Sequence, residues 1–345
     1  MVDWQRWRET VADQTQLREW RRDGALDAAA TAAAREALGP APDTALWRWF
    51  LDRLALWLGV ALCAAGVICF IAANWEHIGK FSRLYGMQAL LVAAVVAGAR
   101  LGLARRGGQA ALWLAMVLLG GLLALIGQTY QTGADTWELF ALWAALALPW
   151  AFAGRHAALW LLWVAVANIA LGLWADTVGS DWMNDERSLT LVGLFDVAMY
   201  CLWSIASMRW AEFAGHAGPR FLAAVALLCL SPPAILAALD HVAPEFRYEL
   251  CAWLAAIAVL TLFELRRQRD RAVFAMLLVA AIGVSTVWLY RLAKYVVFEG
   301  RDEPAWLWLV LALLVVGEAT AGALWLRRMD RRSMDQRMDH PEARA

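Results

Sequence analysis

Lysine is almost missing from this chain: only Lys80 and Lys294 occur among 345 residues, and the other basic side chains are arginine. With abundant alanine, that scarcity reads as base composition of the gene, not as chemistry. Paired cysteines are missing too. Cys63, Cys69, Cys201, Cys229 and Cys251 each fall inside an apolar run, none at CxxC spacing or at ligand spacing from a histidine. The thiols therefore read as small buried hydrophobes, with no metal centre and no disulfide framework expected. His77, His156, His216, His241 and His340 are scattered through loops and the tail. No GxSxG, GxxxxGK[ST] or HExxH occurs, so no catalytic residue, cofactor site or enzymatic activity is expected. Charged residues make up 18% and the formal net charge is zero, which gives no footing for a nucleic-acid partner. The first 45 residues are polar and lack the short apolar core of a secretory signal, so no cleaved leader is expected.

What the chain has in quantity is apolar surface: 62% of residues, with mean hydropathy +0.51. A soluble core of this size could not hide so much. A span needs about 20 mainly apolar residues to cross roughly 30 Å of hydrocarbon. Ten runs meet that need: Leu54 to Ala73, Leu84 to Leu103, Ala110 to Gly127, Leu139 to Ala153, Ala157 to Ala175, Leu189 to Met208, Phe221 to Leu239, Leu250 to Leu265, Ala272 to Tyr290 and Ala305 to Leu326. The fourth and eighth are short, so nine spans would also fit. The expected fold is all-α: a polytopic transmembrane helical bundle with a small cytosolic N-terminal helical hairpin. In that hairpin Asp3 caps a first helix ended by Gly24, and Asp27 caps a second closed by Gly39 and Pro40. The organisation is then residues 1–45 as hairpin and linker, 46–175 and 176–326 as two membrane halves, and 327–345 as a charged cytosolic tail. Trp47, Trp49 and Phe50 suit the aromatic belt at the membrane interface.

Arginines set the orientation. Arg105 and Arg106, Arg155, Arg209 and Arg220, and Arg266 to Arg271 fall in even-numbered loops, and Arg327 to Arg332 follow the last span. Both termini are therefore expected in the cytoplasm.

Two polar loops are expected on the opposite, outer face. "NWEHIGKFSR" offers Asn74, Trp75, Glu76 and His77; "LIGQTYQTGADTWELF" offers Gln128, Tyr130, Gln131 and Asp135. They could form a small polar pocket under an aromatic rim. Alternatively, Asn74 and Gln128 cap helix ends, and Trp75, Tyr130 and Trp137 anchor the interface. Within the spans, Asp196, Glu318 and Asn168 are costly in hydrocarbon and carry a functional hypothesis by default. For Asp196 and Glu318 that hypothesis is a proton or cation relay; the rival is a protonated acid or one satisfied by a neighbouring hydroxyl. "SPPA" at Ser231 to Ala234 is expected to break the seventh span. "GARLG" and the Gly120–Gly121 pair suit close helix packing.

The stretches "LREWRRDGALDAAATAAAREAL", "FIAANWEHIGKFSRL" and "LLALIGQTYQTGADTWELF" together resemble a bacterial family, domain of unknown function 2157, over roughly Leu17 to Leu173. The resemblance implies a predicted inner-membrane protein with no established activity and no functional residues to carry over. It also implies companionship with other membrane proteins, including ones bearing a GDYxxLxY motif. The leading expectation is a non-enzymatic membrane subunit or scaffold whose partners are the lipid bilayer and other membrane proteins, with homo-oligomers possible. The rival is a small-solute or proton-coupled transporter using Asp196 and Glu318.

Overall fold

A computed structural model describes residues 16–17, 19–21, 23–27, 30–31, 34, 44–74, 76–131, 133–178, 185–239, 248–268, 270–294 and 305–339. Ten long helices account for nearly all of them: α1 (Thr44–Ala73), α2 (Lys80–Leu101), α3 (Arg106–Tyr130), α4 (Thr136–Gly154), α5 (Ala157–Thr177), α6 (Asp185–Ala206), α7 (Ala217–Leu239), α8 (Tyr248–Phe263), α9 (Arg271–Leu292) and α10 (Ala305–Asp339). All ten are long and apolar enough to cross a membrane, so among the described residues ten candidate spans occur, the larger of the two expected counts. The short eighth run gains length from a π-helical turn, Glu264–Gln268, that continues α8. No strand occurs among the described residues.

Boundaries differ from expectation where a polar residue sits inside a helix. The first helix starts at Thr44, so Trp47, Trp49 and Phe50 belong to its first turns. The third runs to Tyr130, which puts Gln128 and Tyr130 in its last turn and leaves only Gln131 to Asp135 as the connection. That connection turns on left-handed backbone at Gln131 (φ 46°) and Gly133 (φ 67°). Pro232 and Pro233 do not break α7, which continues to Leu239; each removes one backbone donor from the helix ladder without ending it. The last helix runs on to Asp339, well past its apolar stretch, which ends at Trp325. Most of the expected N-terminal hairpin lies outside the described residues. Within it, Gly24 has φ 73° and the Asp27 carboxylate accepts the Ala30 N–H at 2.6 Å, a helix N-cap.

Packing divides the chain into two compact units, Met1–Leu118 and Leu119–Ala345. In the first, a Cβ on Gly98 would lie 3.3 Å from the Gly108 carbonyl oxygen. Gly98 thus lets the last turn of α2 sit close against the first turns of α3. Arg53 stacks over Trp49, 3.5 Å from the ring centroid.

The second unit holds a continuous apolar core built from α5 to α9, including Tyr200, Trp203, Leu222, Leu230, Leu260 and Val284. Its closest pairings are α6 with α7, α4 with α5, and α7 with α9. Gly193 sets the first of these: a Cβ there would stand 2.5 Å from Leu230 Cγ and 3.2 Å from the Ala226 carbonyl oxygen. The α4–α5 pair is joined by two residues only. Arg155 takes left-handed backbone (φ 47°), His156 Nδ1 caps α5 by accepting the Ala158 N–H at 3.2 Å, and the Trp163 indole N–H donates back to Ala144 O at 2.9 Å.

Candidate functional site

Of the outer-face candidates, Asn74 does what the capping alternative requires. Its side-chain amide donates to Phe70 O at 2.9 Å, and its own carbonyl accepts from His77 and Ile78. Glu76 and His77 are exposed, and Trp75 lies outside the described residues. These belong to the first unit. In the second, Gln128, Tyr130, Gln131 and Asp135 are exposed. The Asp135 N–H donates to the Glu138 carboxylate at 3.2 Å, half of a capping box that starts α4. Neither loop sequesters its polar groups within its own unit; both serve helix ends.

The intramembrane acids have separate partners. Asp196 is fully buried in α6, and the Asn168 amide of α5 donates to its Oδ1 at 3.0 Å. Asp196 Oδ2 and Asn168 Oδ1 are buried with no hydrogen-bond partner. Both leftover atoms are acceptors, so this pair is short of hydrogens. The Ser285 hydroxyl of α9 lies 3.2 and 3.4 Å from the two Glu318 oxygens of α10 and 3.1 Å from Ile282 O, so its single hydrogen is shared among three acceptors. A neighbouring hydroxyl is thus within reach of Glu318, while Asp196 takes an amide.

The most connected polar group was not anticipated from sequence. Where the π-helical turn leaves α8, Glu264 is fully buried and Asp270 nearly so. The Tyr200 hydroxyl of α6 donates to Glu264 Oε1, and the Asp270 N–H donates to Glu264 Oε2 at 2.7 Å. Arg220 of α7 grips Asp270 through both oxygens, at 2.8 and 2.9 Å. Asp270 Oδ1 also accepts the Ala272 N–H at 3.0 Å and so caps α9. His216 Nδ1 stands 2.9 Å from Asp270 Oδ2 but makes no aligned hydrogen bond, so its contact is one of charge when the ring is protonated. Burial alone would raise the Asp270 carboxyl. The contacts from His216, Arg220 and the Ala272 N–H outweigh it and hold the group well below the usual carboxylate range.

All four carboxylate oxygens thus have protein donors, and the group ties α6, α7, α8 and α9 together at one end of the unit. A network whose buried carboxylates are paired in this way rigidifies what it joins. Its sequence signal was two acids, Glu264 at the end of the eighth apolar run and Asp270 in the arginine-rich loop that follows. Among the described residues no group of three or more His, Cys, Asp or Glu side chains is placed to hold a metal ion.

Comparison with known proteins agrees with the sequence resemblance. A family model described as "Predicted membrane protein (DUF2157)" matches residues 18–160, from the N-terminal region through α4 and into the first turn of α5. No curated protein and no solved structure matches the chain.

Proposed function

We propose that this multi-pass membrane protein is a non-enzymatic subunit or scaffold, with α1 as its lateral docking helix. One observation carries that reading. The apolar stretch of α1 has the highest mean hydropathy of the ten, 2.5, yet only 6% of it is buried; that of α3, at 2.3, is 50% buried. Exposure to lipid alone would leave α1 content, because hydrocarbon solvates leucine as well as protein does. Its small-residue face, where Cys63 and Gly66 line a cleft against Gly86 and Met87 of α2, has room for a partner helix. Gly59, Cys63 and Gly66 share one side of the helix, and a Cβ at either glycine would meet nothing within 4 Å. A stripe of this kind lets a second helix bring its backbone close.

The reading is tested with a photo-crosslinking side chain at exposed Leu62, and at buried Met116 as control. A discrete protein adduct is expected from Leu62, reduced severalfold by Gly59→Leu and Gly66→Leu with no loss of thermal stability. Lipid adducts alone from Leu62 would sink it. Inner-membrane residence with both termini in the cytoplasm belongs to the same proposal and is supported by the arginine distribution. Glu212, Glu264 and Asp270 do not oppose it, since each faces an arginine or lies in a network with one. A reporter inserted between Gln131 and Asp135 is expected to read as extracytoplasmic.

A second reading, proton or small-cation transport, draws on the Asp196–Asn168 pair, because uptake of one proton by Asp196 supplies the hydrogen the pair lacks. Asp196→Asn supplies an N–H permanently. The variant is expected to match or exceed the parent in thermal stability, by up to about 1 kcal/mol for one satisfied acceptor. Under this reading, flux into proteoliposomes driven by a pH gradient falls to background in the same variant. Unchanged flux would remove Asp196 from any relay.

A further inference from the structure

We propose that a cleft at the α4–α5 end of the second unit seats one zwitterionic phospholipid with a primary ammonium head group. The cleft has a volume of about 590 Å³, inside the roughly 300–1,000 Å³ range of single-ligand sites. Its walls come from α4, α5, α6 and the short 3₁₀ turn Ala211–Phe213, and they are aromatic: Phe152, Trp160, Trp163, Trp203, Trp210 and Phe213. Edge-to-face pairs fix them, Phe152 on Trp160 with centroids 4.7 Å apart and Trp203 on Phe213 at 4.9 Å. Such a cleft accepts an acyl chain.

Its polar lining is limited to one charge of each sign. Arg155 Nε lies 3.7 Å from Glu212 Oε2, with the arginine side chain 74% exposed and the glutamate 14%. That separation is too long for a hydrogen bond, and an exposed pair of this kind contributes little to stability. A ligand bearing both charges exchanges the pair for two shorter contacts, phosphate on Arg155 and ammonium on Glu212. A lipid with anionic charge alone meets Glu212 unfavourably. A choline head has no N–H to give the carboxylate. Trp210, half exposed on the rim, adds a π face suited to a cation.

The indole N–H groups of Trp163 and Trp203 are committed to Ala144 O and Phe213 O, so two of the aromatic walls are held in place by hydrogen bonds.

The test uses the full chain in mild detergent, native mass spectrometry, and phosphatidylethanolamine, phosphatidylcholine and phosphatidylglycerol of identical acyl composition. One phosphatidylethanolamine is expected to be retained about tenfold over the other two, a ratio equivalent to roughly 1.4 kcal/mol. Glu212→Gln is expected to abolish that preference and raise phosphatidylglycerol. Arg155→Gln should weaken all three lipids about tenfold, with Arg155→Lys restoring part of the loss, and thermal stability should be unchanged because Arg155 is exposed. Equal retention of the three lipids by the parent, a parent preference for phosphatidylglycerol, or an ethanolamine preference that survives Glu212→Gln would each overturn the proposal.

Discussion

Arg220→Met lowers thermal stability in detergent by about 2–3 kcal/mol at neutral pH. Removing one partner of a buried ion pair typically costs about 3–5 kcal/mol; the lower figure reflects the Arg220 side chain, which is 37% exposed, against 2% for Asp270. The loss comes from Asp270, which stays charged and buried with only His216 and a backbone N–H for company. Acid should narrow the gap. The folded carboxyl of Asp270 is held below its ordinary value, so its contribution is full above the unfolded pKa of about 3.9 and fades as pH falls toward the folded value. Parent and variant therefore converge below about pH 4. Pairing Arg220→Met with Asp270→Asn in a double-mutant cycle isolates the coupling, expected at about 1–3 kcal/mol. Purely additive losses would show that the two side chains do not support one another.

Gly193→Val is expected to be damaging for the opposite reason. It adds atoms where α6 and α7 already touch, and the nearest neighbours are Leu230 Cγ at 2.5 Å and the backbone oxygen of Ala226 at 3.2 Å from the new Cβ. The leucine can rotate; the backbone cannot. Overpacking of this kind costs about 1–3 kcal/mol. Adding Leu230→Ala opens space on the side that can yield and should recover part of the loss, measured by thermal unfolding or by the rate of detergent inactivation. If Leu230→Ala makes matters worse by its full cavity cost, the contact between α6 and α7 is not where Gly193 acts.

The spans were legible because an apolar run of helical length has few other readings at this composition. Their ends were less so. Gln128 and Tyr130 looked like loop residues, but a polar side chain does not end a helix; left-handed backbone at Gln131 and Gly133 does. The proline pair sits inside a helix that still reaches the expected end at Leu239, since a helix in a packed bundle tolerates two missing donors when neighbours hold it in place. Asp196 and Asn168 were both conspicuous, yet their meeting depends on the rotational phase of two helices separated by 28 positions. A single sequence does not record that phase. Arg220 and Asp270 stand 50 positions apart. The arginines near them had been counted toward orientation, a sum in which a charge and its partner look the same as two unrelated residues.

The last helix carries one more consequence. Its apolar stretch ends at Trp325, and the helix runs on to Asp339. At about 1.5 Å per residue, the extension adds roughly 20 Å of helix past the apolar stretch. A flexible tail would sample a volume; a helix fixes a length, so the charged end and Trp325 are held at one separation.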